Sequence, residues 1–482
     1  MDLSKLLMSL ILILVILILA VFIGLFWEKR ARLWLIFVLS LLSVYIFQPL
    51  LPLRNFDYWF PTASIALTAA TWYVLNRPRD ISERENLVAS SLSLLIPLCV
   101  GLTRLLPFEI PWLPASNPPL TQILLVAFAT ALLIGVISLG SSKSRPGSWI
   151  LIIVLAGLFI LLKAEPLALW LSERIRRWQG QSTSLASIKD LNWLGFSYIS
   201  FRLIHALRDY QSGRLPRTNL REFMTFVLFF PAIVAGPIDR IERFIKDLRV
   251  DRRLNGDRAL ASGQRLLLGF FKKFILADGL ALFALNSTNA ALTTSTGWTW
   301  LLLYAYSFRL YLDFSGYTDV AIGLGMLTGM DLPENFDRPY LKMNLAAFWN
   351  SWHITLARWF RSYFFNPVTR WFRAGPLASS TSLIILIGQI STMVLIGLWH
   401  GVSWNFAIWG LWHGVGLFVH NRWVDFIRTT KPSVLHRLPE PALHITGTLL
   451  TFHFITLGWV WFALPEVGLS IGVFKALLGL PV

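Results

Sequence analysis

Six mostly apolar runs of about twenty residues, at 6–26, 33–52, 60–75, 87–106, 120–140 and 148–170, fill the first third of this chain. A hydrocarbon layer roughly 30 Å thick is crossed by about 20 helical residues, and inside it every backbone N–H and C=O must bond within its own element. With 55% hydrophobic and 14% charged residues and a mean hydropathy of +0.60, the chain carries more apolar surface than a soluble domain can cover. The expected class is an all-α polytopic membrane protein embedded in the lipid bilayer. The run from Leu6 to Phe26 lacks a small-residue cleavage site and continues into Lys29-Arg30, so it reads as a first span rather than a cleaved signal. Cys99 is the single cysteine, which excludes an intrachain disulfide and a cysteine-based metal cluster.

Charge orients these runs. The net charge of +17 lies mostly in loops, as expected where Lys and Arg mark the cytoplasmic side. Lys29, Arg30 and Arg32 follow the first run, Arg77, Arg79 and Arg84 the third, and Lys143 and Arg145 the fifth, while 107–119 has no Lys or Arg. The amino terminus is therefore expected outside. Arg174, Arg176 and Arg177 break this alternation, and their surroundings suggest an amphipathic helix on the membrane surface. Positive charge scattered between apolar spans argues against nucleic acid as a partner. Some of it is a candidate receiver for an anionic donor.

Beyond about residue 190 the pattern changes. A seventh span at 191–208 holds Asn192, Ser197, Ser200, Arg202 and His205. The apolar piece 223–236 lies between positive flanks, contains Pro231 and is too short to cross, so a re-entrant hairpin is expected. Residues 238–260 should lie along the membrane surface, and an eighth span should cover 262–285. Residues 297–330 read as one crossing interrupted near Asp313-Phe314-Ser315-Gly316, with Arg309 and Asp313 spaced to pair on one face. The basic stretch 331–378 reads as cytoplasmic or re-entrant, followed by spans at 380–400, 402–421 and 442–463; Arg422, Arg428, Lys431 and Arg437 place the loop before the last one inside. Residues 467–482 are apolar but short. The total is about 11–12 transmembrane helices with one or two re-entrant or interfacial segments.

The chemistry is expected in this second half, around histidines. His353 follows Trp352 and precedes Arg358 and Arg361; His400, 47 residues later, follows Trp399 at the end of an apolar run and precedes Gly401. Ionisable groups at such depth carry a functional expectation. His413 sits among Gly410, Gly414 and Gly416, where close helix packing makes a structural hydrogen bond the stronger reading and direct chemistry the weaker. His205 reads as structural, His436 as a loop residue, and His444 and His453 as groups satisfied by neighbours. A neutral imidazole at His400 can take a proton from a hydroxyl. Metal binding competes with that reading, but there is no His-Glu-x-x-His spacing and no acidic residue between Asp337 and Asp425, so no metal site is expected. That lack of carboxylates also disfavours a Ser-His-Asp triad. Direct acyl transfer from a thioester to a hydroxyl needs a base, an orienting polar group and exclusion of water, but no protein nucleophile.

Four blocks resemble the membrane-bound O-acyltransferase family, most nearly its bacterial alginate O-acetylation and teichoic acid D-alanylation branch. They are Phe230-Pro231 through Ala235-Gly236-Pro237-Ile238; Tyr311-Leu312-Asp313-Phe314-Ser315-Gly316-Tyr317-Thr318-Asp319; Glu334-Asn335-Phe336-Asp337-Arg338-Pro339-Tyr340; and Trp352-His353 to His400-Gly401. The resemblance implies a catalytic core at 186–465, preceded by N-terminal transmembrane helices at 1–185 and followed by an apolar tail at 466–482. It implies helices around a central tunnel joining a cytoplasmic thioester donor to an extracytoplasmic glycan acceptor. His400 would be the base, assisted by His353 near the cytoplasmic mouth. Trp352, Trp399, Arg358, Arg361, Asn335, Asp313, Ser315 and His413 are candidates along the substrate and donor path. The implied setting is the bacterial plasma (inner) membrane. No tightly bound cofactor is expected; acetyl-CoA or an acyl carrier protein is the co-substrate, and an acyl carrier protein or a periplasmic acyltransferase the expected partner. The chain departs from the family pattern at Asn350-Ser351, at Arg361-Ser362-Tyr363 and at Pro367-Val368-Thr369-Arg370, all flanking the expected donor entrance. The rival class, a proton-coupled transporter or flippase of a polar envelope precursor, predicts inverted repeats with matching broken helices, and none is visible in the sequence.

Overall fold

The computed structural model describes residues 3–25, 28–76, 83–108, 110, 112–114, 118–140, 145–375, 378–430 and 439–481. Arg77, Arg79, Lys143, Lys431, His436 and Arg437, which entered the charge and histidine assignments, lie outside the described residues. The regular elements among the described residues are all helical, as expected for this class. Three of them, Arg84–Leu105, Thr381–His400 and Glu440–Ala463, are individually long and apolar enough to cross a membrane; Gly147–Lys163 with Glu165–Trp178, bent by 88°, makes a fourth candidate. Other expected spans are helical but shorter or more polar. The one expected at 191–208 is the 16-residue helix Phe196–Gln211, with Arg202 and His205 buried in it. The tally of 11–12 crossings therefore rests on hydropathy and charge along the chain.

The chain divides into two compact units, Met1–Leu266 with Val320–Pro333, and Leu267–Asp319 with Glu334–Val482. The first holds the helices Lys29–Ile46, Phe56–Leu75, Arg84–Leu102 and Leu120–Gly140. Its expected surface helix is the end of Glu165–Trp178, where Arg176 is buried against Asp190. The short segment expected at 223–236 is a nine-residue helix, Leu220–Leu228, followed by a single 3₁₀-helical turn at Phe230–Ala232. Pro231 cannot continue a helix, so carbonyls are left without intrahelical donors. The buried Arg202 guanidinium donates to two of them, Val227 O at 2.8 Å and Ala232 O at 2.9 Å. Broken backbone is thus kept inside protein, where its polar groups can be satisfied.

Two expectations for the central region are corrected. The Thr296–Leu327 helix runs through Asp313–Gly316 without interruption. Its break-like glycine serves packing instead: a Cβ on Gly316 would lie 2.8 Å from the Gly269 carbonyl oxygen and 2.9 Å from the Lys273 nitrogen. Asp313 pairs not with Arg309 but with Lys273, Nζ to Oδ1 at 2.5 Å, and Lys272 reaches Asp319 Oδ2 at 2.7 Å. The reason is a π-helical turn at Phe271–Ala277. The extra residue in that turn lets two successive lysines reach carboxylates on one facing helix.

In the second unit, Thr381–His400 and Trp404–Thr430 form an antiparallel hairpin joined at Gly401. Added Cβ atoms on Gly397 and Gly410 would strike the Phe406 and Met393 carbonyl oxygens, and one on Gly414 would lie 2.8 Å from the Ile390 Cα. Small residues let these backbones meet. The Glu440–Ala463 helix joins the hairpin through Trp412, whose Nε1 donates to Phe454 O at 3.1 Å.

Candidate active site

His353 is built by two short segments that clasp each other. Asp337 N–H donates to Ser351 O at 3.0 Å, and Ile354 N–H donates to Asn335 O at 2.9 Å. The Asn335 side-chain oxygen receives Thr355 N–H at 3.2 Å and Thr355 Oγ1 at 2.9 Å, and stands 3.1 Å from His353 Nδ1. His353 itself is left-handed, at φ 42° and ψ 52°, immediately before the Ile354–Phe360 helix. Such a conformation in a residue other than glycine costs about 1–3 kcal/mol and persists where surrounding bonds over-determine it; the clasp supplies those bonds. The imidazole is 3% exposed, with the Phe314 ring 4.7 Å from it. Trp352 packs away from it, on Phe336 at 5.2 Å, Phe348 at 5.6 Å and Trp459 at 5.1 Å.

His400 ends the Thr381–His400 helix, half-buried, with rings of Trp399 at 4.5 Å, Phe462 at 4.7 Å, Trp409 at 5.8 Å and Phe406 at 6.0 Å. A Cβ at Gly401 would lie 2.7 Å from the Phe406 ring, so the glycine lets that ring close over the histidine. The two histidines share one neighbour: Trp399, beside His400, is also 6.2 Å from His353. Residues 47 apart in the chain thus belong to one aromatic cluster, separated by an indole rather than bonded as a dyad.

His413 belongs to the same cluster. It is fully buried, 4.9 Å from Trp409 and 5.1 Å from Trp349, and neither ring nitrogen has a hydrogen-bond partner among the described residues. The expected structural hydrogen bond is replaced by aromatic enclosure. Gly458 makes room for it, since a Cβ there would lie 2.7 Å from His413 Nε2.

The other candidates are distributed around this core. Arg358 and Arg361 are exposed, and Arg361 Nη2 donates to Asn350 Oδ1 at 2.7 Å where a π-helical turn, Arg361–Phe365, begins. Asp313 is committed to Lys273, and Ser315 is buried two residues along the same helix. Beyond Asn335, a bond from Lys342 Nζ at 2.8 Å holds the Asp337 carboxyl below its usual range. His453 is satisfied as expected, by Leu449 O at 2.8 Å and Tyr304 Oη at 2.9 Å. His205 lies in the first unit, 3.0 Å from Asp209. Among the described residues no three His, Cys, Asp or Glu side chains gather as metal ligands. Sequence reasoning passed over Lys272 and Lys273, although two charges inside an apolar run are a signal. It also passed over Trp349, Trp459 and Phe462, which look like ordinary interfacial aromatics until the helices pack.

Comparison with known proteins identifies the family. A model of the membrane-bound O-acyltransferase family matches residues 148–460, more than half of the chain. Teichoic acid D-alanyltransferase of Streptococcus thermophilus is 31% identical over 57% of this chain and 68% of its own length. Peptidoglycan O-acetyltransferase of Helicobacter pylori is 35% identical over 55% of this chain, and the probable alginate O-acetylase of Azotobacter vinelandii 33% identical over 59%. The matched region spans only 47% and 53% of those last two relatives, about half of each. The chain belongs to the membrane-bound O-acyltransferase family.

Proposed function

We propose that this protein transfers an acyl group, acetyl in our reading, from a cytoplasmic thioester to a hydroxyl of an envelope glycan, in the plasma (inner) membrane of a bacterium. The observation that carries this is the pairing of His353 and His400 around Trp399 inside an aromatic cluster. Its relatives are named for acyl transfer to alginate, peptidoglycan and teichoic acid. Coenzyme A or an acyl carrier protein would bring the acyl group as thioester, and a periplasmic acyltransferase could receive or extend the product.

The chemistry asked of the residues is limited. His400 accepts the hydroxyl proton as the oxygen attacks the thioester carbonyl. The tetrahedral intermediate collapses to an ester, and the departing thiolate recovers the proton. The surrounding rings exclude the water that would hydrolyse the donor. His353 assists from the clasp.

The test is ester-linked acyl content of the cell envelope in cells expressing wild type, His400→Ala or His353→Ala at equal membrane abundance. Loss of a general base costs about 10²–10⁴-fold, so ester content should fall to background in the His400 variant. Unchanged content there would sink the assignment of the base.

A further inference from the structure

His353 can be given a tautomer. The Asn335 side-chain atom that faces Thr355 N–H at 3.2 Å must be the oxygen, because a backbone N–H only donates. Thr355 Oγ1 donates to the same oxygen at 2.9 Å. His353 Nδ1, 3.1 Å from it, can bond only by carrying the proton. A neutral imidazole holding its proton on Nδ1 has a lone pair on Nε2. That atom is buried and has no hydrogen-bond partner among the described residues; neither has Asn335 Nδ2. Buried polar atoms in that state cost about 1–3 kcal/mol each, and the left-handed backbone at His353 adds to the cost. A structure that orders a histidine at such expense and leaves its acceptor nitrogen bare is prepared for a donor from outside the chain.

We propose that Asn335 is a positioning residue that locks the proton of His353 on Nδ1, so that Nε2 acts as a hydrogen-bond acceptor that orients a substrate hydroxyl toward the base, His400. The functional half rests on the acyl-transfer reading; the tautomer does not. It narrows the part His353 can play: while neutral, it receives at Nε2 and cannot donate there. Asn335 acts only through His353.

The experiment is solid-state ¹⁵N NMR of protein labelled with [¹⁵N]histidine and reconstituted in lipid, with the His353 signals identified by their loss in His353→Gln. Wild type should show a protonated Nδ1 and a bare Nε2. Asn335→Asp, whose carboxylate also accepts, should keep the Nδ1 proton; Asn335→Ala should lose that preference; Thr355→Val should leave it unchanged. In parallel, envelope ester content should fall at least about tenfold in Asn335→Ala, as for a catalytic histidine released into the wrong tautomer, and should be retained in large part in Asn335→Asp. A proton on Nε2 in wild type overturns the proposal, as does an Asn335→Ala protein with the wild-type tautomer. The expected spectra with unchanged ester content in Asn335→Ala would overturn the role of His353 in transfer while leaving its tautomer standing. If Asn335→Ala does not accumulate, the wild-type and Asn335→Asp spectra still decide the tautomer.

Discussion

Gly458→Ala should destabilise the protein although alanine is the better helix former. Gly458 lies inside the Glu440–Ala463 helix, and an added Cβ would stand 2.7 Å from His413 Nε2, 2.9 Å from His413 Cε1 and 3.1 Å from Trp412 Cδ1. Contact between carbon atoms is comfortable at about 3.5–4.0 Å, so one ring or the helix must give. His413 cannot swing away, being fully buried with Trp349, Trp409, Phe454 and Trp459 about it. Trp412 is tethered to Phe454 O. Overpacking of this kind costs about 1–3 kcal/mol, against a helix-propensity gain of about 1 kcal/mol. The control is Gly263→Ala in the Gly256–Phe270 helix, where a Cβ would meet nothing within 4 Å. Both substitutions gain the same propensity, so their difference isolates the steric cost. Equilibrium unfolding in mixed detergent should separate the two variants by about 1–3 kcal/mol, with Gly458→Ala the weaker. Because His413 touches Trp409, and Trp409 touches His400, ester content should fall as well. Equal midpoints for the two alanine variants would refute the reasoning.

Two further outcomes follow from the ion pairs. Asp190 is fully buried and accepts from Arg176 Nε at 2.5 Å, Arg176 Nη2 at 2.9 Å and Ser172 Oγ at 2.6 Å; burial alone would raise its carboxyl, but these bonds outweigh it and hold the pKa below the ordinary value of 3.8. That stabilisation is present above pH 3.8 and is lost as pH falls through the lower folded value, so Asp190→Asn should cost about 3–5 kcal/mol near neutrality and less in acid, read from unfolding midpoints across pH. Lys272→Met removes the ammonium that bonds the buried Asp319 carboxylate and should cost about 1–3 kcal/mol, while the double variant Lys272→Met/Asp319→Asn recovers most of it; a double variant no more stable than the single would show that the pair is not the cause.

Much was legible along the chain because it depends on local composition. Apolar runs at membrane length, the all-helical class, the short broken segment at Pro231, the glycines of the Trp404–Thr430 helix and the two signature histidines are properties of neighbouring residues. Partnerships were not legible. Arg309 and Asp313 have the spacing of a pair, but a π-helical turn forty residues upstream supplies Lys273 instead. Asp313–Gly316 has the look of a break, yet Gly316 is small because another backbone passes there.

The sequence by itself determined that this chain enters a membrane as helices and that His353 and His400 stand out within it, since burial of polar groups in lipid is costly wherever it occurs. Only the tertiary structure decided that both histidines meet Trp399, that His413 is enclosed by rings rather than hydrogen-bonded, and that the Asn335 side-chain oxygen stands at hydrogen-bond distance from His353 Nδ1. Those facts depend on which side chains long-range packing brings within a few ångströms, and no spacing along one strand of sequence carries that information.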